Sequence, residues 1–271
     1  MKTHFKGWYF KHQGMTDTVA FIPGFCNDHA FIQVITNHGS CQYRFPSIQI
    51  RNHAIFIGKC IFSRKGLEIH LPDLDGRISY GSIQPLASDI MGPFRFVPME
   101  CRHQVLSMCH SISGRLVSSN QTYCFDGGKG YIEGDSGTSF PSSYLWLQCN
   151  DFAVPCSIML SIAAIPFYGF HFTGCICAIT YCGNEYRLAT YNGVRILAAT
   201  ANHICLAQRN LLLEIDVHSN GTSYPLRSPS LGQMVNTIYE GCEAWVHIRL
   251  WINNKLVINV ESERASFEIV K

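Results

Sequence analysis

Residues 130–150 read GYIEGDSGTSFPSSYLWLQCN, and the second half of this stretch decides the fold class. From Ser143 onward the chain alternates. Tyr144, Trp146, Gln148 and Asn150 fall on one side of an extended backbone, and Leu145, Leu147 and Cys149 on the other. The second set is an apolar core face. The first mixes large aromatics with amides, the composition of a wall that holds an apolar ligand and fixes one polar end. A hydrophobic period of two is the mark of a strand.

The same period recurs along the chain. Phe5–Phe10, Phe31–Thr36, His53–Phe62, Met99–His110, Cys175–Cys182, Glu185–Tyr191, His203–Ala207, Leu211–His218, Trp245–Ile252 and Leu256–Val260 all read as strands. Gly183-Asn184, Asn220-Gly221 and Asn253-Asn254 supply short hairpin signals. Ser228–Gly241 is expected to hold one short helix at most. The pattern is all-β, antiparallel, with strands that close into a barrel or pack as sheets, because open edges invite aggregation. No repeat or linker divides it, so one continuous β domain over residues 1–271 is expected. The glycine-rich segment 126–137 is the only candidate seam, and it reads equally well as a hairpin.

At 47% hydrophobic and 15% charged, the 271-residue chain has a globular composition. A net charge of +2 leaves no electrostatic footprint for nucleic acid, and none is expected as a partner. Thirteen cysteines accompany an N-terminal MKTHFKGWYF that lacks the apolar core of a signal peptide. They are read as reduced thiols used as small hydrophobes, which implies a cytoplasmic protein in which the sequons at Asn120 and Asn220 go unused. The best apolar run, Ile158–Ile165, is interrupted by Ser161 and closed by Pro166, so no transmembrane segment is expected.

Gly134-Asp135-Ser136-Gly137 imitates the nucleophile motif of chymotrypsin-like proteases. Those enzymes need a histidine base and a buried aspartate upstream of the serine. The only faint histidine motif, Ala199–Cys205 around His203, comes after Ser136, and Thr138 and Ser139 stand where glycine and proline should follow. Cys175-x-Cys177 with Cys182, Cys101-x-His103 and Cys109-His110 lack paired knuckle spacing, so no metal is expected. Asp126–Gly130 lacks the spacing of a phosphate loop and reads as a tight hairpin. Tyr131, Glu133 and Asp135 share a face if their segment is extended. The carboxylates are then either solvated turn residues, or a close pair in which repulsion and desolvation keep one protonated. In Met99–His110, Cys101, His103, Val105, Ser107 and Cys109 share one face, and Glu100 and Arg102 lie on the other.

Several stretches resemble the tocopherol cyclase-like family, particularly its bacterial branch. They are Gly7-Trp8-Tyr9-Phe10-Lys11, Met91-Gly92-Pro93-Phe94, and Pro98-Met99-Glu100-Cys101 with His103, Ser107-Met108, His110 and Gly114. Gly130-Tyr131-Ile132-Glu133 through Ser139-Phe140-Pro141, then Trp146-x-Gln148-Cys149-Asn150, resemble its most diagnostic block, and Leu226, Pro229, Gly232, Met234, Ile238 and Glu240 its C-terminal pattern. In that block Gly134 replaces a lysine and Ser136 a tryptophan, so Ser136 is a replacement and not a nucleophile. The resemblance implies a lipocalin-like β-barrel or sandwich with a deep apolar channel. It also implies an isomerase-type cyclisation of a prenylated quinol or linear isoprenoid, started by a carboxylic acid that protonates an alkene, with no cofactor or metal. Glu133 is the first candidate acid and Asp135 the second; Glu100 and His103 follow as acid partner or proton acceptor. Trp8, Tyr9, Phe140, Tyr144 and Trp146, with Gln148 and Asn150, are the candidate substrate contacts. The replacements at Gly134 and Ser136, with Cys109, leave two competing readings: a non-catalytic carrier of a hydrophobic isoprenoid, quinone or lipid, and a hydratase in which water captures the cation.

Overall fold

In the computed structural model, residues 4–167 and 169–271 are described. Their chain order begins β1 Phe5–Gln13, β2 Thr18–Phe25, β3 Ala30–Thr36, β4 Gly39–Phe45, β5 Ile48–Arg51, β6 Ala54–Ile57, β7 Cys60–Ser63, β8 Gly66–Leu71 and β9 Leu74–Tyr80. It continues with β10 Cys101–Val117, β11 Thr122–Cys124, β12 Gly128–Gly137, β13 Tyr144–Cys149, β14 Cys156–Phe167, β15 Phe170–Tyr181 and β16 Asn184–Ala189. The last are β17 Arg195–Ala199, β18 His203–Gln208, β19 Leu211–His218, β20 Tyr224–Ser230, β21 Gln233–Ile252 and β22 Lys255–Val270. The only helices among the described residues are short 3-10 turns at Gly92–Phe96 and Thr190–Asn192. The chain is all-β.

Ser228–Gly241, expected to hold one short helix at most, holds none. Leu231 and Gly232 take left-handed conformations (φ 49° and 76°) and turn β20 into β21. Buried Met234, Ile238 and Glu240 keep the period of two beyond the turn. His53–Phe62 is two strands rather than one, because Gly58 turns at φ 57° and a side chain there would strike the Phe45 ring. The Asn253-Asn254 signal does form its hairpin, with φ values of 51° and 63°. Asp126 and Gly127 form a turn that feeds directly into β12.

Two compact units emerge. Unit 1 holds the residues up to Pro85, His103–Ser139 and Leu226–Thr237; unit 2 holds Leu86–Arg102, Phe140–Pro225 and Ile238–Lys271. The first antiparallel sheet runs β4-β3-β2-β1-β12-β10-β9-β8-β7-β6-β5, with β11 beside β10. It curls over a single core, so that Phe10 of β1 and Phe21 of β2 meet Phe62 of β7 at ring distances of 5.4 and 6.1 Å. The second runs β16-β15-β14-β13-β22-β21-β19-β18-β17, with β20 beside β21. It curls as well. Gln208 of β18 accepts a hydrogen bond from the Ala189 N–H and donates to the Arg187 carbonyl, both at 2.9 Å, although β16 and β18 are far apart in strand order. Among the described residues neither order returns on itself. The fold is therefore two curled antiparallel sheets and not a closed barrel.

Cysteine serves as core filler. Cys175 and Cys177 are buried with Leu147, Leu160, Leu206 and Leu250 in the core of unit 2. Burial pushes the Cys175 thiol up to about 12, so neither is a ready thiolate. Cys182 is exposed in the following turn, away from that pair. No helix among the described residues is long and apolar enough to cross a membrane. Phe62 is fully buried where both arms of the first sheet meet. Phe62→Ala is expected to cost about 3–5 kcal/mol, read as a lowered urea midpoint with unchanged slope.

Candidate active site

Strand β12 builds the site by alternation. Its register on β1 sets Ile132 opposite Phe10, Gly134 opposite Trp8 and Ser136 opposite Lys6. This side faces the unit 1 core, to which Trp8, Phe10 and Ile132 belong. A side chain on Gly134 would lie 3.1 Å from the Trp8 ring, and the Lys6 ammonium sits over that same ring at 4.8 Å. Tyr131, Glu133 and Asp135 consequently emerge on the opposite side, across from Lys11, Tyr9 and Gly7. There Tyr131 is fully buried, Lys11 is buried, and Glu133 is only 4% exposed. These carboxylates are not solvated turn residues.

Strand β10, next to β12, brings His103 between them. His103 Nδ1 lies 2.9 Å from Asp135 Oδ1, and Nε2 lies 3.3 Å from Glu133 Oε2. The first contact is a hydrogen bond; the second is an ion-pair distance off line for one. The Tyr131 hydroxyl donates to the same Glu133 oxygen at 2.6 Å. Burial opposes charge on His103, but the Asp135 and Glu133 carboxylates outweigh it and hold the imidazole up at about 10. At neutral pH the ring is an imidazolium between two acids. Burial, then the Glu133 charge, pushes the Tyr131 hydroxyl well above its ordinary range, so it stays a donor.

The other expected residues are spread more widely. Tyr9 shares the face of Glu133, whereas Trp8 faces the core. Glu100 is exposed in the bend before β10. In unit 2 the alternation of β13 is as expected: Leu145, Leu147 and Cys149 enter the core. Trp146, Gln148 and Asn150 are buried on the other side, and Tyr144 and Phe140 meet edge to face at 6.0 Å. In the sheet register Trp146 lies opposite Glu268, and Glu268 opposite Glu240. Both carboxylates are buried, and the Tyr144 hydroxyl donates to Glu268. Glu268 was not singled out in the sequence, although an acid inside ASFEIV on the alternate face from Phe267 is a readable signal.

Two further histidines lie inside unit 1. His12 Nε2 meets the Tyr80 hydroxyl at 2.6 Å, and the Tyr80 ring packs on His110 at 4.6 Å. Burial holds His12 down at about 3 and His110 at about 4, so both are neutral core residues. Ser107 accounts for His110 Nδ1 at 3.0 Å.

Comparison with known proteins gives the family and the fold. The sequence profile of the tocopherol cyclase-like family matches residues 73–270. The chain belongs to that family. Among solved structures it is similar to kievitone hydratase from Nectria haematococca, at 12% identity and a TM-score of 0.56, covering 99% of this chain and 88% of that one. It is also similar to a putative AttH from Nitrosomonas europaea, at 9% identity and a TM-score of 0.57, covering 98% and 92%. CghA bound to Sch210972 aligns at 9% identity and a TM-score of 0.63, covering 99% and 89%. These likenesses establish a shared fold. Comparison with curated proteins finds no match.

Because the folded imidazole is raised to about 10 from ~6.5 in the unfolded chain, its stabilising effect is complete below ~6.5 and is lost as pH rises through the folded value. NMR of labelled histidine should show His103 still protonated at mildly alkaline pH, and Asp135→Asn should bring its titration down. A His103 that titrates like an exposed imidazole in the wild type would mean the trio does not form.

Proposed function

We propose that this protein is an acid-initiated cyclase or hydratase of the tocopherol cyclase type, with Glu133 as the proton donor. The observation that carries this reading is the trio of buried Glu133 with half-buried His103 and Asp135. Alkene protonation needs an acid whose conjugate base is stabilised the moment the proton leaves. Tyr131 and His103 both approach Glu133 at Oε2, so a hydrogen-bond donor and a cation stand ready to stabilise the carboxylate as its proton leaves. The charged His103 completes a trio with the two carboxyl groups. An apolar substrate that displaces water from it favours uptake of one more proton by a carboxyl group.

The sequence of steps follows from that arrangement. The Glu133 carboxylic acid gives its proton to one alkene carbon and leaves a tertiary cation at the other. A phenol oxygen or a second alkene captures the cation and closes a ring; where water captures it, the product is an alcohol. The last proton returns to a carboxylate, so the cycle needs no net acid. Asp135 acts through the imidazolium as a positioning residue, holding Nδ1 so that Nε2 faces Glu133. The ligand class is a hydrophobic isoprenoid or prenylated quinol, with Tyr131 and Tyr9 as aromatics on the same face as Glu133.

The competing carrier reading draws its motive from the replaced lysine and tryptophan. Gly134 and Ser136, however, lie on the core side of β12, opposite the trio, so these replacements do not remove an acid or its partners. Family membership and the folds shared with a hydratase and with CghA support catalysis as well.

Incubation in D₂O with a prenylated hydroquinone and with linear isoprenols, followed by mass spectrometry, tests the proposal. A cyclised or hydrated product should carry one deuterium on carbon. Glu133→Gln should lower its rate by about 10²–10⁴-fold, and Tyr131→Phe by roughly tenfold through one lost hydrogen bond to a charged group. Full activity in Glu133→Gln would transfer the acid role elsewhere. Unchanged substrate that co-purifies with the wild type would establish the carrier instead.

A further inference from the structure

The turn between β2 and β3 collects a thiol, a carboxylate and an imidazole within four residues. Cys26 Sγ lies 3.2 Å from Asp28 Oδ1 and 3.3 Å from His29 Nδ1, and those last two atoms are 2.8 Å apart. We infer that Cys26, Asp28 and His29 form a binding site for a zinc-like divalent cation, with its remaining coordination position open to solvent. The proposed alkene chemistry makes no use of this cluster.

Three observations support the assignment. The donor set of thiolate, imidazole and carboxylate is the one zinc prefers, and three protein ligands with an open position is its catalytic-type arrangement. The spacing also fits: with metal–ligand bonds of ~2.0–2.3 Å, the edges of a tetrahedron are about 3.3–3.6 Å, so each donor pair needs to open by only a few tenths of an ångström. Finally, the backbone is fixed in advance. Cys26 N–H donates to the His29 carbonyl at 3.0 Å, Asn27 N–H to the Gly232 carbonyl at 3.0 Å, and the Asn27 side chain to the Leu231 carbonyl at 3.3 Å. His4 N–H in turn donates to the Asn27 side-chain oxygen at 3.0 Å. The turn is therefore closed by its own backbone and anchored through Asn27 to Gly232, Leu231 and His4, which lowers the ordering cost of binding an ion.

Without an ion, the Cys26 thiol and the His29 ring converge on a single Asp28 oxygen. A divalent cation replaces the thiol proton and any proton on the ring nitrogen, and all three donors then turn their lone pairs to one centre. Cys26 is buried with Phe31 and Met234, which shields one side of the ion, while Asp28 is exposed and leaves the other open. The His103–Glu133–Asp135 trio also gathers ligand atoms within 4.8 Å, but it holds no thiol. That difference separates the two sites by spectroscopy.

The test is titration of the full-length reduced protein with cobalt(II), with zinc as competitor. One equivalent should bind with a thiolate-to-cobalt charge-transfer band and visible bands of tetrahedral intensity, both erased by zinc. Cys26→Ser should abolish the charge-transfer band, and His29→Gln should weaken binding by at least about tenfold, with far-ultraviolet circular dichroism confirming that each variant folds. Three outcomes overturn the inference. They are no thiolate band in the wild type, a band that persists unchanged in both variants, and cobalt bound without a thiolate band and lost in His103→Gln.

Discussion

Nine consecutive residue pairs lock β12 to β1, and this register decides what every side chain on both strands can do. In a sheet, a slip of one residue exchanges the two faces completely. Here such a slip would put Ile132 in place of Glu133 and drive two carboxylates into a core of Phe10, Phe21 and Phe62. The cost of burying those charges in an apolar core is what makes the register single-valued. The hydrophobic core and the acid cluster are thus two results of one pairing. Gly134 takes part directly, since Trp8 crowds the space a side chain would need.

The trio is an electrostatic compromise. Three ionisable groups with so little exposure would each be expensive alone. Together, a cation between two anions relieves most of that cost, and Tyr131 supplies a donor where the imidazole is poorly aligned. A protein built only for stability would gain by replacing such a cluster with apolar side chains.

How much of this could be read from the sequence followed the period of two. β13 was legible because Leu145, Leu147 and Cys149 alternate without interruption against Trp146 and Gln148. Tyr131, Glu133 and Asp135 were legible as a face, but their burial was not, because nothing local shows that β10 will lay His103 against them. Sequence separation hid that partner. Trp8 was misjudged for a related reason: adjacent Trp8 and Tyr9 must point in opposite directions, and only pairing reveals which one joins the core. The turns at Gly58 and Leu231-Gly232 were missed because they lack the Asn-Gly or Asp-Gly pairs that announce a hairpin.

The chain passes between its two units after Pro85, Arg102, Ser139, Pro225 and Thr237. During synthesis, therefore, the first unit is not complete until Thr237 has left the ribosome, by which point most of the second has been made. The sheets themselves are nonetheless consecutive, β1–β12 making the first and β13–β22 the second, and only Leu226–Thr237 comes late to the first unit. A ribosome stalled near Ser139 would display a first sheet with all its strands made and lacking only Leu226–Thr237 of its unit, before the second sheet has begun. Halves divided near Ser139 would each carry one whole sheet with its core, and would differ from the intact chain in leaving Leu226–Thr237 on a separate polypeptide from the unit it belongs to.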